Sequence, residues 1–195
     1  MEHYDVIILG GGLAGLSLSI QLKLAKPDIK ILVLERRKDN EPNSAHKVGE
    51  STVELASYYF RNVLQLKDYL EKHELPKYGL RFFFKSNTKE KIESRVELGP
   101  RKWLYTPSHQ LDRGTFENYL AKRTAELGTD FLLDAVVKDV EFGKDESTVT
   151  YTHHGEEVKA TCRWVADATS RGSFLKRKFG FAKPMEHHVN AVWWR

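Results

Sequence analysis

Near its start the chain carries three glycines and a carboxylate with the spacing of a dinucleotide-binding site. The glycines are Gly10, Gly12 and Gly15 of the run VIILGGGLAG, and Glu35 closes the apolar run ILVLE. Gly10 allows a tight turn out of a strand, Gly12 lets a pyrophosphate approach the backbone, and Gly15 lets a helix pack closely on the strand. The N–H groups at the start of that helix attract phosphates, and Glu35 can accept hydrogen bonds from a ribose diol. These residues predict that the ligand is a dinucleotide.

Two features bear on which dinucleotide is bound. Arg36 and Arg37 follow Glu35 directly, and guanidinium groups there could bind the 2′-phosphate of NADP or lie in a solvated loop. Glu35 would repel that phosphate. The run also begins at residue 4, which is usual where FAD is the resident cofactor. We therefore expect FAD and leave the role of the two arginines open between ligand contact and loop.

The pattern of apolar runs predicts the elements that must position these residues. We expect strands at 4–9, 30–35, 80–84, 101–105, 136–142, 147–153 and 157–165, and helices at 13–25, 51–73 (continuous or broken) and 112–127. A turn is expected at His154-Gly155. The predicted fold class is α/β, a Rossmann-like domain with a parallel sheet and an antiparallel three-stranded meander.

Composition argues against several classes of protein. The chain has 195 residues and a formal charge of +4, enough for one domain and part of a second. We interpret Lys176-Arg177-Lys178 as a solvated basic face rather than a nucleic-acid site. Cys162 is the only cysteine, so we expect no intrachain disulfide and an inert core thiol. No apolar run approaches the ~18 residues of a membrane span and no signal peptide is recognised, so a reducing cytoplasm is the expected setting.

Histidines and aromatic residues supply weaker candidates. The pairs His153-His154 and His187-His188 are adjacent in sequence, and neighbours on a strand point to opposite faces, so we expect no metal site. A second set is aromatic and clustered in sequence: Phe82, Phe83, Phe84, Trp103 and Tyr105. We expect these side chains in the core of a sheet, with a pocket for an aromatic substrate as the alternative.

The chain resembles the flavin-dependent halogenases and their FAD monooxygenase relatives, over nearly its whole length. The segments that carry the resemblance are GGGLAG, Val48-Gly49-Glu50-Ser51-Thr52, Pro76-Lys77-x-Gly79-x-x-Phe82-x-Phe84, Asp112-Arg113-x-x-Phe116, WVADATSR and FLKRKFG. The segment GEST followed by a lysine is fairly specific to the halogenase-like branch. The other segments are shared with a wider group that includes aromatic hydroxylases and geranylgeranyl reductases.

The resemblance implies where FAD is bound. The ADP half is expected on the glycine turn and on Glu35, the isoalloxazine beside the loop of Gly49, and the pyrophosphate near Arg113. The complete set of expected cofactor-binding residues is Gly10, Gly12, Leu13, Ala14, Gly15, Glu35, Arg36, Gly49, Glu50, Ser51, Arg113, Val137 and Asp167. Structural alternatives stay open for some of them: Ser51 or Thr52 as a helix cap, Arg113 as a surface residue and Asp167 as a turn residue.

Lys77 is the expected catalytic residue. In halogenases reduced flavin and oxygen convert a halide into hypohalous acid, and a lysine between flavin and substrate directs it by a hydrogen bond or as a haloamine. Lys77 precedes the aromatic strand, as that lysine does. The alternative is an ordinary surface lysine, because lysine is common in this chain.

The resemblance implies an FAD-dependent oxidoreductase that uses reduced flavin and oxygen to modify a small organic substrate, with a halide and a separate flavin reductase as further partners. The alternatives are a geranylgeranyl-reductase-like flavin reductase and a truncated, non-catalytic dinucleotide-binding module. We expect an FAD-binding domain at 1–185, with 75–110 contributing to a substrate domain. Residues 186–195 are expected to be the first strand of that truncated substrate domain, so the chain is expected to be a fragment.

Overall fold

A computed structural model describes residues 1–42, 45, 47–84, 91–102, 105–186 and 192. The chain divides into two compact units. The first unit combines Met1–His46 with Gly114–Arg195, and the second is Lys47–Arg113. Each unit has its own strands and helices, and the domain boundaries expected from the sequence stay a prediction.

The described residues contain short and long strands in both units. In chain order they are β1 Glu2–Leu9, β2 Ile31–Leu34, β3 Leu75–Lys77, β4 Phe82–Phe83, β5 Glu97–Leu98, β6 Ser108–Gln110, β7 Asp130–Leu132, β8 Ala135–Phe142, β9 Ser147–His153 and β10 Glu156–Asp167. The helices are α1 Leu13–Ala25, α2 Glu54–Tyr58, a π-helix Tyr59–Val63, α3 Lys67–His73, a 3-10 turn Ile92–Ser94, α4 Arg113–Glu126, a 3-10 turn Ser170–Gly172 and α5 Phe174–Lys178.

The first unit is built on one six-stranded sheet in the order β7-β2-β1-β10-β9-β8. The strands β7, β2, β1 and β10 run parallel, whereas β10, β9 and β8 form an antiparallel meander. The turn between β9 and β10 has positive φ at His154 and Gly155, as its sequence predicted. The Rossmann-like α/β prediction is confirmed.

Where β1 and β2 pair, residues 6–9 of β1 and all of β2 are apolar because both of their faces are buried. On one face Val6 and Ile8 of β1 pack with Val33 of β2, and Leu18 and Leu22 of α1 lie against this cluster. On the other face Ile7 and Leu9 pack with residues of β2 and of the meander. This alternation fixes the register of β1 and therefore the position of the glycine turn that follows it.

The second unit is mainly helical, with two short ribbons. The segment 51–73 forms α2, the π-helix and α3, which bury Phe60, Leu64 and Leu70. The strand β3 pairs with β6, and β4 pairs with β5, both antiparallel. Among the described helices of the chain, none is long and apolar enough to cross a membrane.

Two predictions for the second unit are wrong. The partner of 82–83 is Glu97–Leu98, and the described residues Arg101, Lys102 and Tyr105 form no strand. The aromatic side chains of Phe82, Phe83, Phe84 and Tyr105 are exposed rather than in a core. The reason is that a two-residue ribbon buries neither of its faces by itself. Trp103, His187 and His188, and most of 186–195, lie outside the described residues.

Candidate functional site

The glycine turn has the geometry that its sequence predicted. Gly10 has φ +106°, and a Cβ there would lie 2.6 Å from the carbonyl oxygen of Ala168. A Cβ on Gly15 would overlap the carbonyl oxygen of Gly10, whereas a Cβ on Gly12 would meet nothing within 4 Å. Gly10 and Gly15 are therefore required by packing, and Gly12 faces open space.

The start of α1 lies at this open space. Gly12 is its N-cap residue, no side chain of the described residues caps it, and its first turn carries no acidic residue. The first N–H groups of a helix lack intrahelical partners, so those of Leu13 and Ala14 remain available to an anion. Leu13 is half-buried and Ala14 is exposed.

Glu35 follows the end of β2 and is held on both sides of its carboxylate. Its Oε2 accepts the N–H of Gly11 at 2.8 Å, and its Oε1 accepts the backbone N–H of Arg37 at 2.9 Å. The residue is only 7% exposed, and Oε2 can accept a second hydrogen bond besides that from Gly11. The network orients Glu35 beside the glycine turn.

Arg37, rather than Arg36, belongs to this network. The guanidinium of Arg37 contacts Glu35, Glu41 and the carbonyl oxygen of Gly11, whereas Arg36 is exposed. Sequence reasoning missed the roles of Gly11 and Glu41. The sequence feature that could have indicated Gly11 is its place within the run GGG. In the structure, a Cβ there would lie 2.5 Å from the ring of Phe131 and 2.8 Å from Cβ of Glu35.

Asp167 and Val137 have clear structural contacts in the first unit. Burial alone would raise the pKa of Asp167, but hydrogen bonds from the hydroxyl and N–H of Thr169 and the N–H of Leu175 lower it. This favours the alternative in which Asp167 organises the turn after β10. Val137 lies on β8 at an irregularity of the pairing and packs against the core.

In the second unit a loop brings Gly49, Glu50 and Arg113 together. Gly49 has φ +94°, a conformation that glycine adopts readily. Arg113 donates from its guanidinium to the carbonyl oxygen of Val48 at 3.2 Å, and its N–H donates to the carboxylate of Glu50 at 3.3 Å. Arg113 therefore holds this loop and lies beside Gly49.

Lys77, at the end of β3, is tied to the next part of the same loop. Its ammonium donates to the hydroxyl of Ser51 at 2.8 Å and to the carbonyl oxygen of Thr52. Both acceptors are oxygens without a negative charge, so Lys77 keeps its positive charge uncompensated by these two contacts.

Thr52 links Lys77 to a buried network that sequence reasoning missed. Its hydroxyl donates to the carbonyl oxygen of His109 and accepts the N–H of His109, each at 2.8 Å. His109 Nδ1 lies 2.8 Å from the hydroxyl of Ser57, and burial lowers the pKa of this histidine. Thr52 is thus fixed against β6, and the carbonyl that Lys77 contacts is fixed with it.

A buried carboxyl group, Glu74, supports the other end of β6. Its Oε2 accepts the N–H of Asp112 at 2.8 Å, and the side chain is 6% exposed. Burial raises the pKa of Glu74, the hydrogen bond from Asp112 lowers it, and the nearby carboxylates of Asp112 and Glu50 raise it, so that the pKa lies at about 7. Its position just before β3 gave no sign of this role in the sequence.

An open cleft of about 390 Å³ lies beside Lys77 within the second unit. Its polar side chains are those of Lys77 and Glu54, and the remainder of the lining is apolar or glycine: Val53, Gly79, Leu80, Phe82, Leu98, Gly99 and Pro100. Such a lining suits a small molecule with an apolar body and a polar group.

The histidine pair that the structure describes is His153-His154, at the end of β9 and in the turn that follows it. The rings of His153 and His154 lie 4.1 Å apart between centroids, and His154 Nδ1 lies 3.6 Å from Asp134. Across the residues described, no group of three or more His, Cys, Asp or Glu side chains could hold a metal ion.

Comparison with known proteins defines the family. A family model described as FAD binding domain matches residues 3–194. The chain belongs to this family, and the proteins it is similar to include flavin-dependent halogenases and an FAD-dependent oxidoreductase. FAD is therefore its cofactor, as the sequence predicted.

Three relatives illustrate the similarity. The chain is 44% identical over 134 residues to the flavin-dependent halogenase chlA of Dictyostelium discoideum, covering 66% of this chain and 22% of the relative. It is 26% identical to the 1H-pyrrole-2-carbonyl-[peptidyl-carrier protein] chlorinase of Pseudomonas fluorescens, covering 92% and 42%. The solved structure of the myxobacterial chondrochloren halogenase CndH matches with a TM-score of 0.70 and 26% identity, covering 86% and 37%. The chain thus spans less than half the length of each of these relatives.

Proposed function

We propose that the first unit binds the ADP half of FAD at the glycine turn. The proposal is supported by the open space at Gly12, by the uncapped start of α1 at Leu13 and Ala14, and by the oriented carboxylate of Glu35. These groups suit a pyrophosphate and a ribose diol respectively. Gly10 and Gly15 contribute by making the turn, and Arg36 would contact the ligand only from the exposed loop.

We further propose that the loop of Gly49, Glu50 and Ser51, together with Arg113, contacts the flavin end of the cofactor. Two observations in the second unit support this. A Cβ on Gly49 would lie 3.4 Å from NH1 of Arg113, and the guanidinium of Arg113 adds a positive charge at the loop. A positive charge favours the phosphates and the reduced, anionic forms of a flavin.

The reaction that we propose is halogenation of a small organic substrate bound in the cleft beside Lys77. Bound FAD, when reduced, supplies the electrons that activate oxygen. The observation that carries the proposal is the position of Lys77: its ammonium is anchored by Ser51 and Thr52 and lines an otherwise mainly apolar cleft. An ammonium held there can donate a hydrogen bond to hypohalous acid and orient it towards the substrate.

The test of this proposal is replacement of Lys77. The protein is supplied with FAD, a separate flavin reductase and chloride or bromide, and halogenated products are detected by the isotope pattern in mass spectrometry. Lys77→Ala should lower halogenation by at least ~100-fold while oxygen consumption continues. Lys67→Ala, an exposed lysine on α3 of the same unit, is the matched control.

Two results would contradict the proposal. Halogenation by Lys77→Ala at the wild-type rate would remove Lys77 from the mechanism. If wild type never incorporates halide but hydroxylates a substrate, the halogenase assignment is wrong and the monooxygenase assignment stands. The relatives found do not favour the geranylgeranyl-reductase-like or the non-catalytic alternative.

The partners and setting belong to the same proposal. A separate flavin reductase is proposed because the chain has one Gly-x-Gly-x-x-Gly run and no second nicotinamide fingerprint. A reducing cytoplasm suits Cys162, which is buried on β10 with its pKa raised by burial to about 11. The division into an FAD-binding domain at 1–185, with 75–110 shared with a substrate domain that continues from 186, also remains a proposal.

A further inference from the structure

The loop after β2 contains an ion pair, Arg37 with Glu41, that the proposed function does not use. The guanidinium of Arg37 lies between two carboxylates, with NH1 at 2.7 Å from Glu41 and Nε at 3.4 Å from Glu35. Its NH2 donates to the carbonyl oxygen of Gly11 at 3.3 Å. Nε and NH1 therefore lie within ion-pair distance of a carboxylate, and NH2 donates a hydrogen bond to the backbone.

Glu41 is unusually well fixed for a loop residue. It is 8% exposed, and its backbone is held twice by one side chain of α4. The N–H of Glu41 donates to Oδ1 of Asn118 at 2.9 Å, and Nδ2 of Asn118 donates to the carbonyl oxygen of Glu41 at 2.8 Å. The amide of Asn118 thus pins Glu41 at the point from which its carboxylate reaches Arg37.

Two carboxylates, those of Glu35 and Glu41, lie against the guanidinium of Arg37 beside the glycine turn. An arginine next to the ribose site would ordinarily favour a 2′-phosphate. Here Glu41 engages that arginine and adds a negative charge.

We propose that Glu41 is a specificity-determining residue: by holding Arg37 against Glu35 and Gly11, it makes the site select adenosine with an unmodified 2′-hydroxyl and reject its 2′-phosphate. The inference rests on the proposed position of the adenosine ribose at Glu35. It assigns Glu41 and Asn118 a positioning role, because neither is argued to touch the ligand.

The experiment compares two ligands that differ only in the 2′-phosphate. Binding of ADP-ribose and of 2′-phospho-ADP-ribose to the purified protein is measured by isothermal titration calorimetry. Wild type should prefer ADP-ribose. Glu41→Gln removes the negative charge and loosens Arg37, and it should lower this preference by about tenfold or more. Asn118→Ala should lower it in the same direction by a smaller factor.

Matched variants separate selectivity from general damage. Asp39→Asn makes the same charge change at an exposed residue of the same loop and should keep the wild-type preference. Glu41→Asp retains the carboxylate and should recover part of the preference lost in Glu41→Gln. Thermal unfolding without ligand, measured on each variant, reports any loss of fold independently of ligand binding.

Three outcomes would overturn the inference. An unchanged preference in Glu41→Gln would show that Glu41 does not set it. Equal loss of affinity for both ligands would show a merely structural role. Absence of ADP-ribose binding by folded wild type would overturn the proposed adenosine site as well, which distinguishes failure of the proposed function from failure of this inference alone.

Discussion

Gly12→Ala should abolish tight cofactor binding without harming the fold. Gly12 has φ −85° and ψ −171°, a conformation open to any residue, and an added Cβ meets nothing within 4 Å. Alanine is a poorer N-cap than glycine by about 0.5 kcal/mol, but it lowers the entropy of the unfolded chain by a similar amount. The free energy of unfolding should therefore stay within ~0.5 kcal/mol of wild type, and the melting temperature within about 2 °C.

The effect on FAD binding should be much larger. The new methyl group occupies the open space through which the pyrophosphate approaches the N–H groups of Leu13 and Ala14. Loss of one hydrogen bond to a charged group raises a dissociation constant by about tenfold or more. We would measure the dissociation constant by quenching of flavin fluorescence and the stability by thermal unfolding of the apoprotein.

Gly15→Ala is the informative contrast within the same motif. Its Cβ would overlap the backbone oxygen of Gly10, so overpacking should cost roughly 3 kcal/mol, reduced by about 1 kcal/mol from the better helix propensity of alanine. The melting temperature should fall by about 4–8 °C. If Gly12→Ala binds FAD like wild type, or if Gly15→Ala is as stable as wild type, the assignment of roles within the motif is refuted.

Two further predictions concern the second unit. The buried carboxyl of Glu74 has its pKa raised to about 7, so the folded state holds a proton that the unfolded state loses above its ordinary pKa of 4.5, and the free energy of unfolding falls as pH rises from 4.5 to 7. Glu74→Gln should remove this loss, which is on the order of 1–3 kcal/mol. Unfolding curves of both proteins recorded from pH 5 to pH 8 measure it. An identical pH dependence in both proteins would contradict the assignment. Thr52→Val should destabilise the protein by roughly 1–3 kcal/mol because it leaves the N–H of His109 unpaired, while the carbonyl of His109 keeps the backbone N–H of Thr52. Thr52→Ser should cost less, and equal denaturation midpoints for the two variants would count against this role of the hydroxyl.

Local patterns predicted the first unit well because its strong signals are themselves local. The apolar runs before Gly10 and before Glu35, and the glycines between them, determine β1, α1 and β2 at nearly the predicted bounds. The edge strand β7 was not predicted, since its three residues pair with β2 only through the tertiary fold. Short strands of this kind carry too few residues to show an alternating pattern.

The sequence allowed single charged residues of the candidate site to be named, but it did not indicate the networks that orient them. Glu35 stands out as a charge at the end of a predicted strand, and Lys77 was named from the family resemblance of the segment before the aromatic strand. Lys77 is oriented by Thr52, which is distant from it in sequence. Glu35 is oriented by Arg37, which lies in a loop without a regular pattern. The prediction that the aromatic residues around Phe82 lie in the core of a sheet was wrong because hydrophobicity alone does not show whether a second layer covers a ribbon.

The most direct test of the central claim is retention of flavin by the purified protein. The protein is incubated with excess FAD, passed through gel filtration, and examined for flavin absorption in the protein peak, with Gly12→Ala as the matched control. The account predicts near-stoichiometric FAD in the wild-type peak and little in the variant. A folded wild-type protein that emerges without flavin, or a variant that retains as much as wild type, would contradict it.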